Sequence, residues 1–253
     1  MKRIIWLVGA STGIGKSLVA ELVQDAEVLY ISARSGDKLD TLAQQFSNVR
    51  ALPFDITDPQ ARAEAIAKIT EQSGHVDWLV LNAGTCEYVD VAADTVDLGM
   101  YERVMNTNFQ GPVGLAHEAM GLLRKSKDAR LVGVSSSVMF TPLPRSQAYG
   151  ASKAAFTYWL GAMATDLKGE GIKVQVVSPG FVDTPLTQQN DFKMPFMVSS
   201  ENAAHRIAKC IRSNKTHVHF PKRFTYMLQL EGLLPLSWQY ALNSKLSRNK
   251  ASK

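Results

Sequence analysis

Tyr149 and Lys153, in the stretch YGASK, are the residues of this sequence whose types and spacing most directly suggest acid–base chemistry. They lie four positions apart on a predicted helix, so their side chains share one face. An ammonium fixed beside a phenol favours the phenolate, so we expect the pKa of Tyr149 to fall from about 10 toward neutral pH, as general acid–base catalysis needs. An isolated pair with this spacing is also typical of a solvated helix face, so other residues must support the chemistry.

The glycine-rich stretch GASTGIG, at positions 9 to 15, follows the apolar run IIWLV. A strand that leads through such a turn into a helix points backbone N–H groups and the positive end of the helix dipole at one place, which suits a pyrophosphate. We expect Gly9 to allow the tight turn, Gly13 the close approach of phosphate and Gly15 the packing of helix on strand. A turn without a ligand can have the same spacing. We assign five residues of this turn to cofactor binding: Gly9, Ser11, Gly13, Ile14 and Gly15.

Short apolar runs predict the strands that position these residues, at 4–8, 28–31, 78–81, 131–134, 174–177 and 217–220. The runs are continuous rather than alternating, as expected of strands covered on both faces. Helical stretches separate them, among them residues 59–73, which begin on Pro59 behind Asp58 as the predicted N-cap. This alternation predicts an α/β fold: one domain, residues 1–253, with a Rossmann-type doubly wound parallel sheet and helices on both faces.

Five further motifs follow the glycine turn: LNAG (81–84), NFQG (108–111), SSS (135–137), YGASK (149–153) and PGFVDT (179–184). Together with Gly-x-x-x-Gly-x-Gly they resemble the short-chain dehydrogenase/reductase family, over residues 3 to about 220. The resemblance implies an enzyme that transfers a hydride between a nicotinamide and a small-molecule carbonyl or alcohol. It also implies a homo-dimer or homo-tetramer that pairs through the helices carrying the motif asparagine and tyrosine.

The resemblance implies four catalytic residues: Asn108, Ser136, Tyr149 and Lys153. Ser136 stands thirteen residues before Tyr149, as the family's catalytic serine does, and would hold the substrate oxygen beside the phenol. Ser135 and Ser137, which lack this spacing, are weaker candidates. A serine at the end of a strand can also be only a turn former. Lys153 would tune the tyrosine and bind the nicotinamide ribose, so Tyr149 and Lys153 also count as cofactor-binding residues.

Asn108 matches the family asparagine that kinks a helix and binds a water leading to the lysine, whereas Asn106 is a weaker candidate. Other cofactor contacts are implied by position: Asp55 at the adenine amino group, Asn82 near the adenosine ribose, and Val182 and Thr184 at the nicotinamide carboxamide. Asp55 could instead cap a turn.

The cofactor preference depends on the residue that follows the predicted strand 28–31. An acid there would accept hydrogen bonds from a ribose 2′-OH, whereas a cation accommodates a 2′-phosphate. The stretch YISARS supplies Arg34 and no acid, so we expect NADP(H) as the preferred cofactor, with NAD(H) as the alternative. Positions 11 and 12 are Ser and Thr, where many NADP-linked relatives carry a basic residue, and Arg34 could be an ordinary surface cation.

Composition narrows the remaining classes of function. The net charge of +5 favours anionic partners, but no basic patch interleaved with aromatic residues indicates nucleic acid. No apolar run reaches the ~18 residues that span a bilayer and no signal peptide is apparent, so we expect a cytoplasmic protein.

The cysteines and histidines give no sign of a metal site. Cys86 and Cys210 do not have the spacing of metal ligands and are interpreted as packing residues. His217 and His219 lack a third ligand, so we expect no metal.

Two segments beyond residue 183 could set specificity. Residues 184–200 occupy the place of the family's mobile substrate lid, and four apolar side chains there suit a hydrophobic aldehyde or ketone: Phe192, Met194, Phe196 and Met197. The same residues could simply pack on the domain or on a neighbouring subunit.

Residues 222–253 form an apolar extension with a basic end, interrupted by Pro235. We expect, in this order, a cover on the substrate pocket, a subunit interface, or contact with an anionic membrane through Lys245, Arg248 and Lys250.

The sequence therefore predicts an NADP(H)-dependent oxidoreductase of hydrophobic carbonyl compounds or alcohols. The alternative is a catalytically weak nucleotide-binding sensor or scaffold with the same fold, since a fold alone does not fix function. The intact set of Ser136, Tyr149 and Lys153 argues for the enzyme.

Overall fold

The computed structural model of the chain describes residues 2–89, 91 and 96–247. Its strands are β1 (Arg3–Val8), β2 (Ala26–Ser32), β3 (Val49–Ala51), β4 (Trp78–Leu81), β5 (Arg130–Val134), β6 (Lys173–Pro179), β7 (Val182–Asp183), β8 (Val198–Ser199) and β9 (His217–Phe220). Its helices are α1 (Gly13–Leu22), α2 (Gly36–Ala43), α3 (Pro59–Ser73), α4 (Leu98–Met105), α5 (Gly111–Glu118), α6 (Met120–Arg124), α7 (Gln147–Asp166), α8 (Ser200–Arg212), α9 (Lys222–Gly232) and α10 (Leu236–Ser244).

The main sheet has seven parallel strands in the order β3-β2-β1-β4-β5-β6-β9. The predicted doubly wound parallel sheet is thus confirmed. The strand order reverses direction between β1 and β4, and the carboxyl ends of these two strands open a crevice at the switch point, where ligands bind in folds of this class. The glycine turn follows β1 and the LNAG motif closes β4, so both motifs meet at this crevice.

The core lies in two layers because successive residues of each buried strand point to opposite faces of the sheet. Trp6 packs in the layer beneath α3, α5 and α7, together with Ile69, Leu115 and Phe156. Its neighbour Leu7 lies in the other layer, which α1, α2 and α8 cover. This burial on both faces explains why the predicted strands read as continuous apolar runs.

Helix α3 has the boundaries that its sequence predicts. The Asp58 side chain accepts hydrogen bonds from the backbone N–H groups of Gln60 (2.9 Å) and Ala61 (3.3 Å), which confirms the N-cap. Pro59 occupies the first helical turn, and Gly74 ends the helix in the left-handed conformation, at φ 73°.

Helices α4 and α5 join through one π-helical turn, Asn106–Gln110, which carries the NFQG asparagine. Such turns interrupt the regular hydrogen-bond ladder and re-aim side chains. At the other end of the chain, α9 and α10 form the described part of the extension. None of the helices that the structure describes is both long enough and apolar enough to cross a bilayer.

Candidate active site

The glycine turn is held by its own packing against the end of β4. Gly9 has φ +92°, and a β-carbon there would collide with the backbone of Ala83. A β-carbon on Gly15 would overlap the carbonyl oxygen of Gly9, to which the Asn82 side-chain amide donates a hydrogen bond of 2.8 Å. Gly9 and Gly15 are therefore required by the fold of the turn itself, whether or not a ligand is bound.

The third glycine faces the opposite wall of the crevice. Gly13 has φ +52°, and a β-carbon there would lie 2.9 Å from the methyl group of Thr184. Thr12 precedes α1, and its side chain makes no capping hydrogen bond to the first turn of the helix. The N-terminal N–H groups of α1 are thus left without this side-chain acceptor, as an anion-binding helix end requires.

A cleft of about 270 Å³ runs along the carboxyl ends of β1, β2 and β4. Its walls bring together eight of the predicted cofactor residues: Gly9, Ser11, Gly13, Ile14, Arg34, Asp55, Asn82 and Thr184. Arg34 is exposed, and its side chain makes no hydrogen bond or ion pair with any residue that the structure describes. The first N–H groups of α1 lack a side-chain cap, glycines line the wall beside them, and the Arg34 guanidinium has no partner among the described residues. These features fit a phosphate-bearing dinucleotide.

Other predicted cofactor residues lie outside the walls of this cleft. Gly15 sits behind the turn, covered by Gly9, and Val182 is buried in the core as part of β7.

Asp55 lines the cleft and also forms a turn. One of its carboxylate oxygens accepts hydrogen bonds from the backbone N–H (2.9 Å) and the hydroxyl (2.8 Å) of Thr57. The turn-capping alternative for Asp55 therefore holds alongside its place in the cleft wall.

Lys153 and Asn108 meet beside Gly84, which also lines the cleft. A β-carbon on Gly84 would lie 3.3 Å from both Lys153 Nζ and Asn108 Oδ1, so only glycine leaves both side chains their full space. Lys153 Nζ donates a hydrogen bond of 3.0 Å to the Val134 carbonyl. Gly84 therefore joins the cleft to the predicted catalytic residues.

The Asn108 side chain is buried and fully engaged with the protein. Its Oδ1 accepts from the backbone N–H of Thr85 (2.8 Å), and its Nδ2 donates to the carbonyl of Thr85 and the hydroxyl of Ser152 (both 2.9 Å). These contacts fix the π-helical turn against the chain that follows β4. Sequence reasoning assigned no role to Thr85, which lies just after LNAG, or to Ser152, which lies within YGASK.

Of the three serines after β5, Ser136 is the one whose side chain interacts with the Tyr149 phenol, and this interaction acts to lower the phenol's pKa. The Ser135 hydroxyl instead lies 2.6 Å from that of Thr157 and donates to the Lys153 carbonyl, so it anchors α7. Ser137 is buried. The structure thus brings Ser136 and Tyr149 together, with Lys153 one helical turn further on.

The predicted lowering of the Tyr149 pKa is wrong. Burial raises the pKa of the Tyr149 phenol well above its ordinary range, and the hydrogen bond from Ser136 offsets only part of this rise. The Lys153 ammonium points to the Val134 carbonyl, and burial lowers its own pKa to about 8. Desolvation therefore dominates the pKa of both groups, and the phenol keeps its proton at neutral pH.

Cys86 and Tyr88 form a second group, missed by sequence reasoning, beside Tyr149 and Lys153. The Tyr88 hydroxyl and the Cys86 thiol share a hydrogen bond, and Cys86 interacts electrostatically with both Tyr149 and Lys153. Burial raises the pKa of Cys86 to about 11, so the thiol is neutral. Cys86 is therefore more than the packing residue expected, whereas Cys210 is buried in the core.

The segment 184–200 packs against Tyr88. Its base is the short pairing of β7 with β8. Arg145 forms an ion pair of 2.9 Å with Asp191 and lies 5.5 Å from the centre of the Tyr88 ring, while Phe192 meets the same ring edge-on at 5.6 Å. The segment is thus tied to the loop that carries Cys86.

The two histidines of β9 form polar contacts within the protein. His217 Nε2 lies 2.9 Å from the Ser178 hydroxyl, and His219 Nδ1 lies 2.6 Å from the Thr225 hydroxyl. Burial, reinforced by the nearby Lys222, lowers the pKa of His219 to about 4, so the ring is neutral. Within the described ranges, no three His, Cys, Asp or Glu side chains are grouped so as to hold a metal ion.

The seven-stranded parallel sheet, with helices on both faces and a glycine turn after β1, defines a Rossmann-type dinucleotide-binding fold. Residues 3–194 match the family described as short chain dehydrogenase, and the chain belongs to that family. The protein is therefore a dehydrogenase/reductase, an enzyme class that uses NAD(P)(H) and small-molecule substrates.

Its relatives cover most of the chain. It is 28% identical over 237 residues to an uncharacterized oxidoreductase of Myxococcus xanthus, covering 92% of this chain and 93% of that protein. It is 27% identical over 254 residues to 11-beta-hydroxysteroid dehydrogenase-like 3 of Arabidopsis thaliana, covering 96% of this chain and 81% of that protein. A solved short-chain dehydrogenase from Streptomyces avermitilis matches with a TM-score of 0.82 at 21% identity, covering 100% of this chain and 99% of that one. The last similarity concerns the fold alone.

Proposed function

We propose that the protein transfers a hydride between NADP(H) and a hydrophobic aldehyde or ketone, or the corresponding alcohol. One observation carries the proposal: Gly84 lines the cleft and at the same time lies against Lys153 and Asn108. A dinucleotide held along the cleft would thus end beside Lys153, which lies one helical turn from Tyr149. The bound nicotinamide would supply the hydride, and the protein supplies orientation and proton transfer.

The protonation states support carbonyl reduction. Because burial raises the pKa of Tyr149, the phenol holds its proton until a stronger base, the developing alkoxide, forms next to it. The Ser136 hydroxyl lies within hydrogen-bond reach of the same phenol and would orient the carbonyl oxygen. Lys153, still charged below about pH 8, would stabilise negative charge as the proton leaves Tyr149.

The preference for NADP(H) rests on Arg34. Its guanidinium lines the cleft and has no partner among the described residues, so a 2′-phosphate could bind it without breaking an existing contact. NAD(H), which lacks this phosphate, would leave Arg34 unused.

The substrate class rests on the segment 184–200, which we propose as the lid. Phe192, Phe196 and Met197 are exposed there, and the Phe192 ring meets that of Tyr88. Such an apolar surface favours an apolar substrate. The relative named as a hydroxysteroid dehydrogenase-like protein agrees with a bulky hydrophobic substrate.

Replacing Tyr149 by Phe tests the chemistry. We expect NADPH oxidation with the best carbonyl of an aldehyde and ketone panel to fall by about a hundredfold to ten-thousandfold, as loss of a general acid does. NADPH affinity should change little. Tyr158→Phe is the matched control, because Tyr158 lies on the same helix but is exposed. Equal rates in Tyr149→Phe and the parent protein would overturn the proposal.

The alternative function, a sensor or scaffold, makes a different prediction in the same panel. Such a protein would bind NADPH and show no turnover with any carbonyl compound. The contact of Ser136 with Tyr149 favours the enzyme.

A further inference from the structure

The loop that follows β5 begins at Ser136, whose side chain interacts with the Tyr149 phenol. Ser136 Oγ accepts a hydrogen bond of 3.3 Å from the backbone N–H of Val138, and its carbonyl accepts one of 3.3 Å from Met139. These bonds start a single 3₁₀ turn, Ser137–Phe140. We call residues 136–142 the serine loop. Because Ser136 caps this short turn, its hydroxyl keeps its position only while the turn keeps its shape.

The far end of the serine loop is bonded to the C-terminal extension. Thr141 is buried, and its hydroxyl donates a hydrogen bond of 3.0 Å to Oε1 of Glu231, near the end of α9. Asn243 Nδ2, on α10, donates to the Pro142 carbonyl (3.0 Å) and to the same Oε1 of Glu231 (2.6 Å). One carboxylate and one amide thus tie both α9 and α10 to the loop that begins at Ser136.

Gly232 adds a close backbone contact to these hydrogen bonds. A β-carbon on Gly232 would collide with the carbonyl oxygen of Phe140, the last residue of the 3₁₀ turn. The end of α9 therefore packs against the backbone of the serine loop with no side chain between them. We call Glu231, Gly232 and Asn243 the C-terminal clamp.

Other contacts dock the extension independently of the clamp. Phe224 in α9 is buried, and its ring lies 5.3 Å from that of Phe181. Gln239 in α10 donates hydrogen bonds of 3.2 and 2.8 Å to two carbonyls at the end of α9. Arg248 and Lys250, which the sequence suggests for a membrane contact, lie outside the described residues. We therefore expect α9 and α10 to stay in place when a single residue of the clamp is changed.

We propose that the C-terminal clamp positions Ser136, so that its hydroxyl holds the substrate carbonyl oxygen beside the Tyr149 phenol. The inference rests on the proposed hydride-transfer function. Glu231 is the one acid in residues 222–253, and its carboxylate accepts hydrogen bonds from the serine loop and from Asn243. Glu231 and Asn243 act through the loop and are positioning residues. A shift of the loop would misplace the carbonyl oxygen, and a misplacement of about 1 Å can cost about a hundredfold in rate.

Asn243→Ala tests the clamp against a matched control, Gln239→Ala. Both amides are buried on α10, at 6% and 5% exposure, but only that of Asn243 donates to the serine loop. Both variants lose buried hydrogen bonds and should unfold at a lower temperature. In carbonyl reduction at saturating NADPH, kcat should fall about tenfold to a hundredfold in Asn243→Ala only. The NADPH dissociation constant should stay that of the parent protein, because the cofactor cleft lies at β1, β2 and β4.

Gly232→Ala perturbs the serine loop without removing a hydrogen-bonding side chain. The added methyl group would collide with the Phe140 carbonyl, so the loop must shift and kcat should again fall by about tenfold or more. Gly121→Ala, on α6, is the matched control, because a β-carbon there meets no atom within 4 Å. This control should keep the kcat of the parent protein.

Hydrogen exchange distinguishes failure of this inference from failure of the proposed function. The backbone amides of residues 136–142 should exchange about fivefold to tenfold faster in Asn243→Ala than in the parent protein, and at the parent rate in Gln239→Ala. A parent protein that turns over no carbonyl compound would refute the proposed function, and exchange alone would then decide whether the clamp orders the loop. Equal exchange of residues 136–142 in the two variants, or equal kcat of the two variants of an active enzyme, would overturn the clamp.

Discussion

Lys153 is buried and Tyr149 is partly buried, and desolvation shifts both pKa values toward the neutral forms. The phenol holds its proton, and the ammonium gives up its proton at about pH 8 instead of its ordinary 10.5. The charged form of Lys153 therefore exists below about pH 8 and is lost as the pH rises through that value. Proton donation by Tyr149 needs this charge nearby, so the site should favour reduction at neutral pH.

Lys153→Arg tests this protonation argument. In the parent protein we expect kcat/KM for NADPH in carbonyl reduction to fall above about pH 8, because this parameter reports the free enzyme. An arginine keeps its charge at every accessible pH. The variant should therefore be slower but lack the decline near pH 8. A decline at the same pH in Lys153→Arg would assign it to another group.

Arg34 is the residue that decides the cofactor. Arg34→Glu should weaken NADPH binding by about tenfold to a hundredfold, since a charge-assisted contact is lost and a like charge faces the 2′-phosphate. NADH binding should hardly change. Titration of the ligand-free protein with both cofactors measures the two affinities, and Lys68→Glu, on α3, is the control. Equal losses for NADPH and NADH would contradict the assignment.

At the scale of elements, α3 shows what a single cap contributes. Asp58→Ala removes the acceptor of two backbone N–H groups and should lower the free energy of unfolding by about 1 kcal/mol. Asp58→Asn retains an acceptor and should recover most of the loss. Urea denaturation of the three proteins gives the comparison, and equal midpoints would show that the cap does not contribute.

An element could be predicted when its own sequence carries a clear signal, such as a capping residue or an apolar run of sufficient length. Helix α3 could be placed at residues 59–73 because Asp58 and Pro59 mark its start. Strand β3 was missed because it is a three-residue edge strand with too few residues to show a pattern. The pairing of β7 with β8 was missed for the same reason, since each has two residues.

In the candidate site, only the residues that belong to a recognised motif could be predicted from the sequence. The motifs supplied Ser136, Tyr149 and Lys153, which the structure brings together. They did not supply Cys86 or Tyr88, whose proximity to Tyr149 arises from the path of the chain after β4. The direction of the Tyr149 pKa was also out of reach, because desolvation depends on atoms from several elements.

At the scale of the whole molecule, the family's mode of pairing makes α7 the expected subunit contact. Tyr158 on this helix is 84% exposed, which makes it the side chain that such an interface would bury. Tyr158→Glu should therefore convert the expected homo-dimer or homo-tetramer into smaller species in analytical ultracentrifugation. Leu233→Glu, at an exposed position just beyond the end of α9, should leave the mass unchanged. A parent protein that is already monomeric would refute the expectation.

The interlocked glycine turn has a consequence for ligand affinity. The Gly9 carbonyl, the Asn82 amide and the α-carbon of Gly15 fit one another within the polypeptide, so the loop facing the phosphates is preorganised before a dinucleotide arrives. Dinucleotide binding therefore costs little free energy for ordering the backbone of the glycine turn. The same fit makes the folding of the chain depend on these positions. A single methyl group at Gly15 would disturb folding as well as cofactor binding.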